Sequence, residues 1–292
     1  MEPEAVFAWE IVPTEARGKT CLARAGERLV VGVHGGAIFS DDDGGSFESA
    51  SLDGEGVGWV RGVGAEDELV CVVGDQGVVL VSTDRAARFR RVDAGVGRQR
   101  FEGVAIADDT IWIVGSQGTV VRSADRGVTW TRLDSGVDAH LAGIWRADDG
   151  VLYVAGTGGT VLCSRDEGEH WEVLRRKGQA LFYGIAGRPD GSLFAPALRS
   201  VHVSRDGGTR WTARRTGTNG CFYAGVVATA REVWVAGSED RRSVLVWSVD
   251  GSKWARADIP DCGDQLDGLL AVSDDLIWVC GDQYLLRGRR QP

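Results

Sequence analysis

An eight-residue pattern returns along this chain at a nearly constant interval, and that periodicity restricts the fold more than any other feature. Its clearest copy is Ser123-Ala124-Asp125-Arg126-Gly127-Val128-Thr129-Trp130. Ser40, Asp42, Gly44 and Phe47 keep the spacing, as do Ser164, Asp166, Gly168 and Trp171, and again Ser204, Asp206, Gly208 and Trp211. Two copies are altered: Ser82-Asp84-Phe89 lacks the glycine, and Ser248-Asp250-Gly251-Trp254 is one residue short. Successive serines lie 42, 41, 41, 40 and 44 residues apart, the length of one four-stranded propeller blade.

A second element precedes each copy: an apolar run closed by glycine. Ile111 to Gly115, Leu152 to Gly156, Val233 to Gly237, Leu69 to Gly74, Leu29 to Gly32 and Ile277 to Gly281 are six examples, and Leu193-Phe194-Ala195-Pro196 is a worn seventh. Continuous rather than alternating apolar residues mark strands covered on both faces. Upstream lies a third element, an inner strand ending in a polar turn, as in Phe101 to Val104 before Asp108-Asp109 and Phe182 to Ile185 before Asp190. The last repeat stops after its third strand, and Val6 to Pro13 reads like an outer strand led by Trp9. The expectation is an all-β, seven-bladed propeller of four-stranded blades forming one domain over residues 1–292. Its N-terminal strand, about 6–13, pairs with the last blade, about 265–288, so that no ring end stays open.

Composition agrees. Of 292 residues 42 are glycine and only 6 proline, which suits many tight turns between short strands. A net charge of −9 speaks against a nucleic-acid groove, which needs concentrated positive charge. No run of about 18 apolar residues is present to span a membrane, and the first residues carry no leader pattern; a cytoplasmic location is the expectation. Six cysteines without ligand spacing make zinc an unsuitable reading. Reduced buried thiols are expected, although Cys221 and Cys262 fall in adjacent loops within disulfide reach. The excess of 30 Arg over 3 Lys reads as the mark of a GC-rich, bacterial genome.

The motif S-x-D-x-G-x-T-W resembles the Asp box, or bacterial neuraminidase repeat, of sialidases, sortilin-type receptors and the photosystem II stability/assembly factor family. The likeness runs over essentially the whole chain and is greatest to the last of these. In such boxes Ser and Asp bond the turn's backbone amides, Gly permits positive φ, and Trp packs on the blade. Ser40, Asp42, Ser123, Asp125, Trp130, Ser164, Asp166, Trp171, Ser204, Asp206 and Trp211 are therefore expected to be structural. The resemblance puts them on the face away from any ligand.

The opposite face, called the top, collects the loops between blades and those between second and third strands. Candidate binding residues there are Trp59, Arg61, Arg98, Arg100, Glu102, His140, Tyr183, Tyr223, Asp267 and Asp282, with Lys19 among the rim residues. Arg98, Arg100, Lys177, Arg241 and Arg242 form a basic arc suited to an acidic peptide or carboxylate. His34, Asp75 and Asp282 occupy equivalent loops but sit too far apart for one ion, so neither metal nor cofactor is expected. Acidic turns on the bottom face read as plain solvation.

Two functions follow. One is a non-enzymatic binding or assembly scaffold that takes a protein or peptide, or else a glycan or small molecule, around the channel. The other is a sialidase-like glycosidase, drawing on Arg61, Arg100, Tyr183 or Tyr223, Glu102 and Asp267. The first inner strand, Thr20-Cys21-Leu22-Ala23, lacks the Arg-Ile-Pro signature of sialidases, and the loops are short, which favours the scaffold.

Overall fold

Seven sheets follow one another around a central axis, each an antiparallel meander of consecutive strands except where the N-terminal strand joins the last sheet and a parallel strand is added to the second. The computed structural model describes residues 7–53, 57–176, 178–218, 222–263 and 265–291, with the backbone alone at 222 and 223. Blade one begins at Cys21–Ala25, blade two at Val60–Glu66, blade three at Phe101–Ala107 and blade four at Leu141–Arg146. Blade six begins at Phe222–Ala228 and blade seven at Leu266–Ser273. Among the described residues helix is limited to two single turns, Asp75–Gly77 and Thr157–Gly159.

The second strands are the apolar runs read in the sequence. Leu69–Gly74 and Thr110–Gly115 are buried along their whole length, because neighbouring blades cover both of their faces. Trp112, Trp234 and Trp278 occupy the same position in three of these strands and are almost fully buried. The ring closes as the sequence indicates: Phe7–Val12 pairs antiparallel with Leu285–Arg290, from Phe7 opposite Arg290 to Val12 opposite Leu285. Phe7 and Trp9 then meet Trp234 edge-on, with centroids 5.1 and 5.8 Å away.

Each Ser–Asp turn has one repeated geometry. In blade three the Ser123 hydroxyl donates to Asp125 Oδ1 and accepts the Gly127 N–H, both at 2.8 Å. Asp125 Oδ1 also accepts the Thr129 N–H at 2.8 Å, while Oδ2 takes the Thr129 hydroxyl at 2.6 Å. The turn without glycine makes the same bonds: Ala86 N–H reaches Ser82 Oγ at 3.0 Å and Arg88 N–H reaches Asp84 Oδ1 at 3.0 Å. Ala86 adopts φ +67° to do so. The shortened turn of blade six contracts, with Gly251 N–H on Ser248 Oγ and Ser252 N–H on Asp250 Oδ1.

These turns also join blades. A Cβ placed on Gly127 would meet Val81 of blade two at 2.8 Å, and one on Gly168 would meet Leu133 of blade three at 2.8 Å. Arginines of one blade reach the turn of the next at five seams among the described residues. Arg28 donates to the Arg85 carbonyl (2.9 Å), Arg90 to that of Arg126 (3.2 Å) and Arg188 to that of Val249 (2.7 Å). Arg122 pairs with Glu167 and Glu169, and Arg287 holds Asp43. The arginine richness is thus structural as well as compositional. Some acidic bottom turns also carry surface ion pairs: Asp109 with Arg126, Asp108 with Arg146, and Asp274 with Arg231.

Two strands depart from the sequence reading. The inner strand of blade five is only Ala186–Gly187, whereas Phe182 to Ile185 lie outside any strand. Tyr183 N–H still donates to the Pro196 carbonyl at 3.1 Å, but proline has no N–H to return and the ladder stops. Blade two gains a fifth strand, Ser51–Asp53, which leaves the outer edge of blade one and runs parallel to Arg88–Arg91.

Candidate functional site

The inner strands start close to the axis, so side chains at their first positions converge on the top of the channel. A cavity of about 670 Å³ opens there. Trp59, Arg61, Arg100, Glu102, His140, Tyr183 and Asp267 all line it. Arg98 and Asp282 do not, and the side chain of Tyr223 lies outside the described residues. None of the described residues of the Ser–Asp turns lines the cavity.

The arginines are already engaged. Arg61 forms a two-pronged pair with Asp75, Nε to Oδ1 at 3.1 Å and Nη2 to Oδ2 at 3.0 Å. This carboxylate is the main reason the Arg61 pKa lies above its ordinary value. Asp75 is held in place by the single turn Asp75–Gly77, its N–H on the Trp59 carbonyl at 3.1 Å. Arg100 Nε lies 3.6 Å from the same Asp75 Oδ1 that takes Arg61 Nε, and pairs with Glu102. His140 Nε2 sits 3.1 Å from Glu102 Oε1. One ionic chain, Arg61–Asp75–Arg100–Glu102–His140, therefore crosses blades two, three and four.

The remaining wall is different. Leu181 is 44% exposed and Trp59 46%, with His34 packed edge-on against Trp59 at 5.1 Å. Across the cavity, Asp267 Oδ1 accepts the Gln265 amide at 2.7 Å. Burial raises the Tyr183 hydroxyl above its usual pKa and pushes the Cys21 thiol up to about 12. At neutral pH both stay protonated, which withholds a phenolate or thiolate nucleophile. Leu181 was not singled out in the sequence, since a lone leucine beside a strand reads as core. Leu181 holds the place just before the head of its inner strand that Trp59, Arg100 and His140 hold in blades two, three and four, and all four line the cavity.

Several expectations for the rim change. Lys19 is fully buried, its ammonium on the carbonyls of Ala16 and Asp282. Asp282 is a closure residue: its carboxylate accepts the Gly18 N–H at 2.8 Å. Arg242 lines a separate groove with Arg256 on the flank of blade six, and Lys177 lies outside the described residues. The described part of the basic arc is thus split up, and its one described member in the cavity, Arg100, is neutralised. Asp75 serves Arg61, and His34 serves Trp59. Cys262 is buried with its thiol on the Pro260 carbonyl, and the pairing considered with Cys221 falls outside the described residues.

The architecture is that of a seven-bladed β-propeller. The chain matches no protein-family model and no curated protein sequence. Solved structures share its fold at low identity. A YCF48 bound to a D1 peptide superposes with a TM-score of 0.79 at 16% identity, covering 100% of this chain and 97% of that one. YCF48 from Cyanidioschyzon merolae gives 0.73 at 15% identity, covering 97% and 98%. A streptogramin B lyase gives 0.82 at 11% identity, covering 98% of each chain. The neighbours thus include a peptide-bound protein and an enzyme, and the likeness is one of fold.

Proposed function

We propose that this chain is a binding propeller that docks a protein or peptide segment on its top face, around the central cavity. The observation that carries this reading is the composition of the rim. Exposed Trp59 and Leu181 flank an internally neutralised ionic chain, so the cavity offers apolar anchors and hydrogen-bonding groups but little free charge. An anion entering the cavity would have to displace Asp75 from Arg61 or Glu102 from Arg100, which weighs against a carboxylate clamp. A glycosidase of the sialidase kind needs a third arginine in that clamp, and the described cavity wall holds two. The peptide-bound neighbour supports the same reading by analogy of fold alone. On this view the Ser–Asp turns are structural Asp boxes and the protein works in the cytoplasm.

The test is a displayed peptide library selected on the wild type and compared with Trp59→Ala and Leu181→Asp. Selected sequences should lose binding to both variants by about tenfold or more, as for central anchors of an interface. Peptides bound equally well by all three proteins would remove the top face from consideration.

A further inference from the structure

The fifth strand of blade two shows how this fold extends an outer edge. Ser51–Asp53 lies parallel to Arg88–Arg91 in the register Arg88–Ser51, Phe89–Leu52, Arg90–Asp53. The Ser51 N–H donates to the Ala87 carbonyl at 2.9 Å. The Asp53 carboxylate takes Arg88 Nε and Nη2 at 2.9 and 2.6 Å. An acidic extended segment is thus held by backbone bonds and by one arginine.

Arg88 is the residue immediately before the aromatic of its repeat. The same place holds Ser46, Thr129, His170, Arg210 and Lys253 in the other copies. Ser46, Thr129 and His170 fold back onto their own turn aspartates. Arg210 is the only other arginine, and its N–H meets Asp206 Oδ1 at 2.9 Å, as Arg88 N–H meets Asp84. Blade five, however, ends at its fourth strand, Thr212–Arg215, with all four residues exposed. Among the described residues no ion pair engages Arg210, Arg214 or Arg215.

The charge around this edge is unlike the rest of the chain. Between Arg175 and Arg231 there are ten basic residues and two acidic ones, in a protein of net charge −9. Both acids are occupied locally: Asp190 accepts the Ser192 N–H, and Asp206 accepts the Ser204 hydroxyl and the Arg210 N–H. Arg210, Thr212 and Arg214 line a groove beside the strand together with Val203, Asp206 and Arg205, the last of which also reaches the Asp250 carbonyl and Ser252 of blade six.

We infer that the outer edge of blade five is a second docking site, which takes an extended acidic segment of a partner protein as an added parallel strand. Backbone bonds along Thr212–Arg215 supply the ladder, and Arg210 and Arg214 take carboxylates as Arg88 takes Asp53. A second copy of this chain is a poor occupant, since its own acidic strand is already paired on blade two.

The probe is a fluorescein-labelled peptide with the sequence of residues 48–53, Glu-Ser-Ala-Ser-Leu-Asp, followed by anisotropy and by amide hydrogen exchange of the full chain. Saturable binding is expected, weakening with salt, with new protection confined to residues 212–215. Arg210→Glu with Arg214→Glu should weaken it by about tenfold or more, while Arg88→Glu leaves it unchanged. A peptide with proline in place of the first residue of its Ser-Leu-Asp stretch lacks the matching donor and should bind more weakly. Absence of saturable binding, equal binding by the Arg210/Arg214 variant, or protection elsewhere overturns the proposal. So does equal binding of a DNA duplex without protection at 212–215, which would mark a general polyanion surface. Circular dichroism on the exposed-arginine variants verifies that they are folded.

Discussion

Trp112 donates its indole N–H to the backbone carbonyl of Glu167, 2.8 Å away and 55 residues later in the chain. That bond joins the second strand of blade three to the Ser–Asp turn of blade four, at a buried tryptophan. It makes the turn a device that fixes the spacing of blades as well as the shape of its own hairpin. Trp112→Phe keeps most of the buried surface but leaves the carbonyl without its donor, a loss of about 1–3 kcal/mol. Trp112→Ala adds the missing ring volume and should destabilise by about 3–5 kcal/mol. Urea denaturation of the two variants measures both, and a Trp112→Phe variant as stable as the wild type would discount the hydrogen bond.

The turn glycines are held by conformation and by space together. Gly168 has φ +94°, and a Cβ there would sit 2.8 Å from Leu133 Cδ1. Gly168→Ala should therefore destabilise by about 2–3 kcal/mol, combining left-handed strain with overpacking. At the matching position of blade two, Ala86 already adopts φ +67° with its methyl buried. Ala86→Gly exchanges relief of strain for a lost methyl contact and greater chain entropy, so its effect should stay within about 1 kcal/mol. Paired denaturation curves give the contrast.

Acid should unfold the protein through two windows. His202 is packed edge-on to Phe182, with centroids 5.0 Å apart, and burial, then the charge of Arg175, lowers its pKa to about 4 from 6.5. The unfolded chain then binds the extra proton, so stability rises with pH and is lost as pH falls from 6.5 towards 4. Asp42, Asp125 and Asp166 titrate at about 2 in the folded state against 3.8 unfolded. The Ser46 and His170 amides and the Thr129 hydroxyl are the leading causes. Their contribution is complete above the unfolded value and disappears as pH falls through about 2. A melting-temperature profile of His202→Gln should flatten the upper window, and Asp125→Asn should flatten part of the lower one.

Ring closure rests on one six-residue ladder, the Phe7–Trp9–Trp234 cluster and the Gly18 bond to Asp282. Removing residues 1–12 bares the edge of Leu285–Arg290 and uncovers Trp234, and it should cause concentration-dependent association together with a lower melting temperature. Light scattering on the truncated chain measures the first effect. A monomer that melts like the full chain would show that the clasp adds little.

The channel residues were legible to the extent that the repeat fixes strand polarity. Arg61, Glu102, Tyr183 and Asp267 could be placed near the axis from their position at the head of an inner strand, and Arg100 and His140 in the top loops that lead into those strands. Their pairing could not, because Asp75 reaches Arg61 and Arg100 from a loop whose direction depends on one turn, with Gln76 at φ +58°. Lys19 looked like a rim residue for the same reason, since a lysine in a loop gives no sign of the carbonyls that enclose it.

The sequence by itself determined the blade count, the strand order, the covered second strands and the closure by Trp9's strand. All of these follow from local hydrogen bonding and apolar periodicity repeated every 40 to 44 residues. Only the tertiary structure decided which charges cancel, which loop carboxylate meets Arg61 and Arg100, and which outer edge is already filled by Ser51–Asp53. Those outcomes depend on contacts between blades, where residues distant in sequence meet and no repeat records the partner.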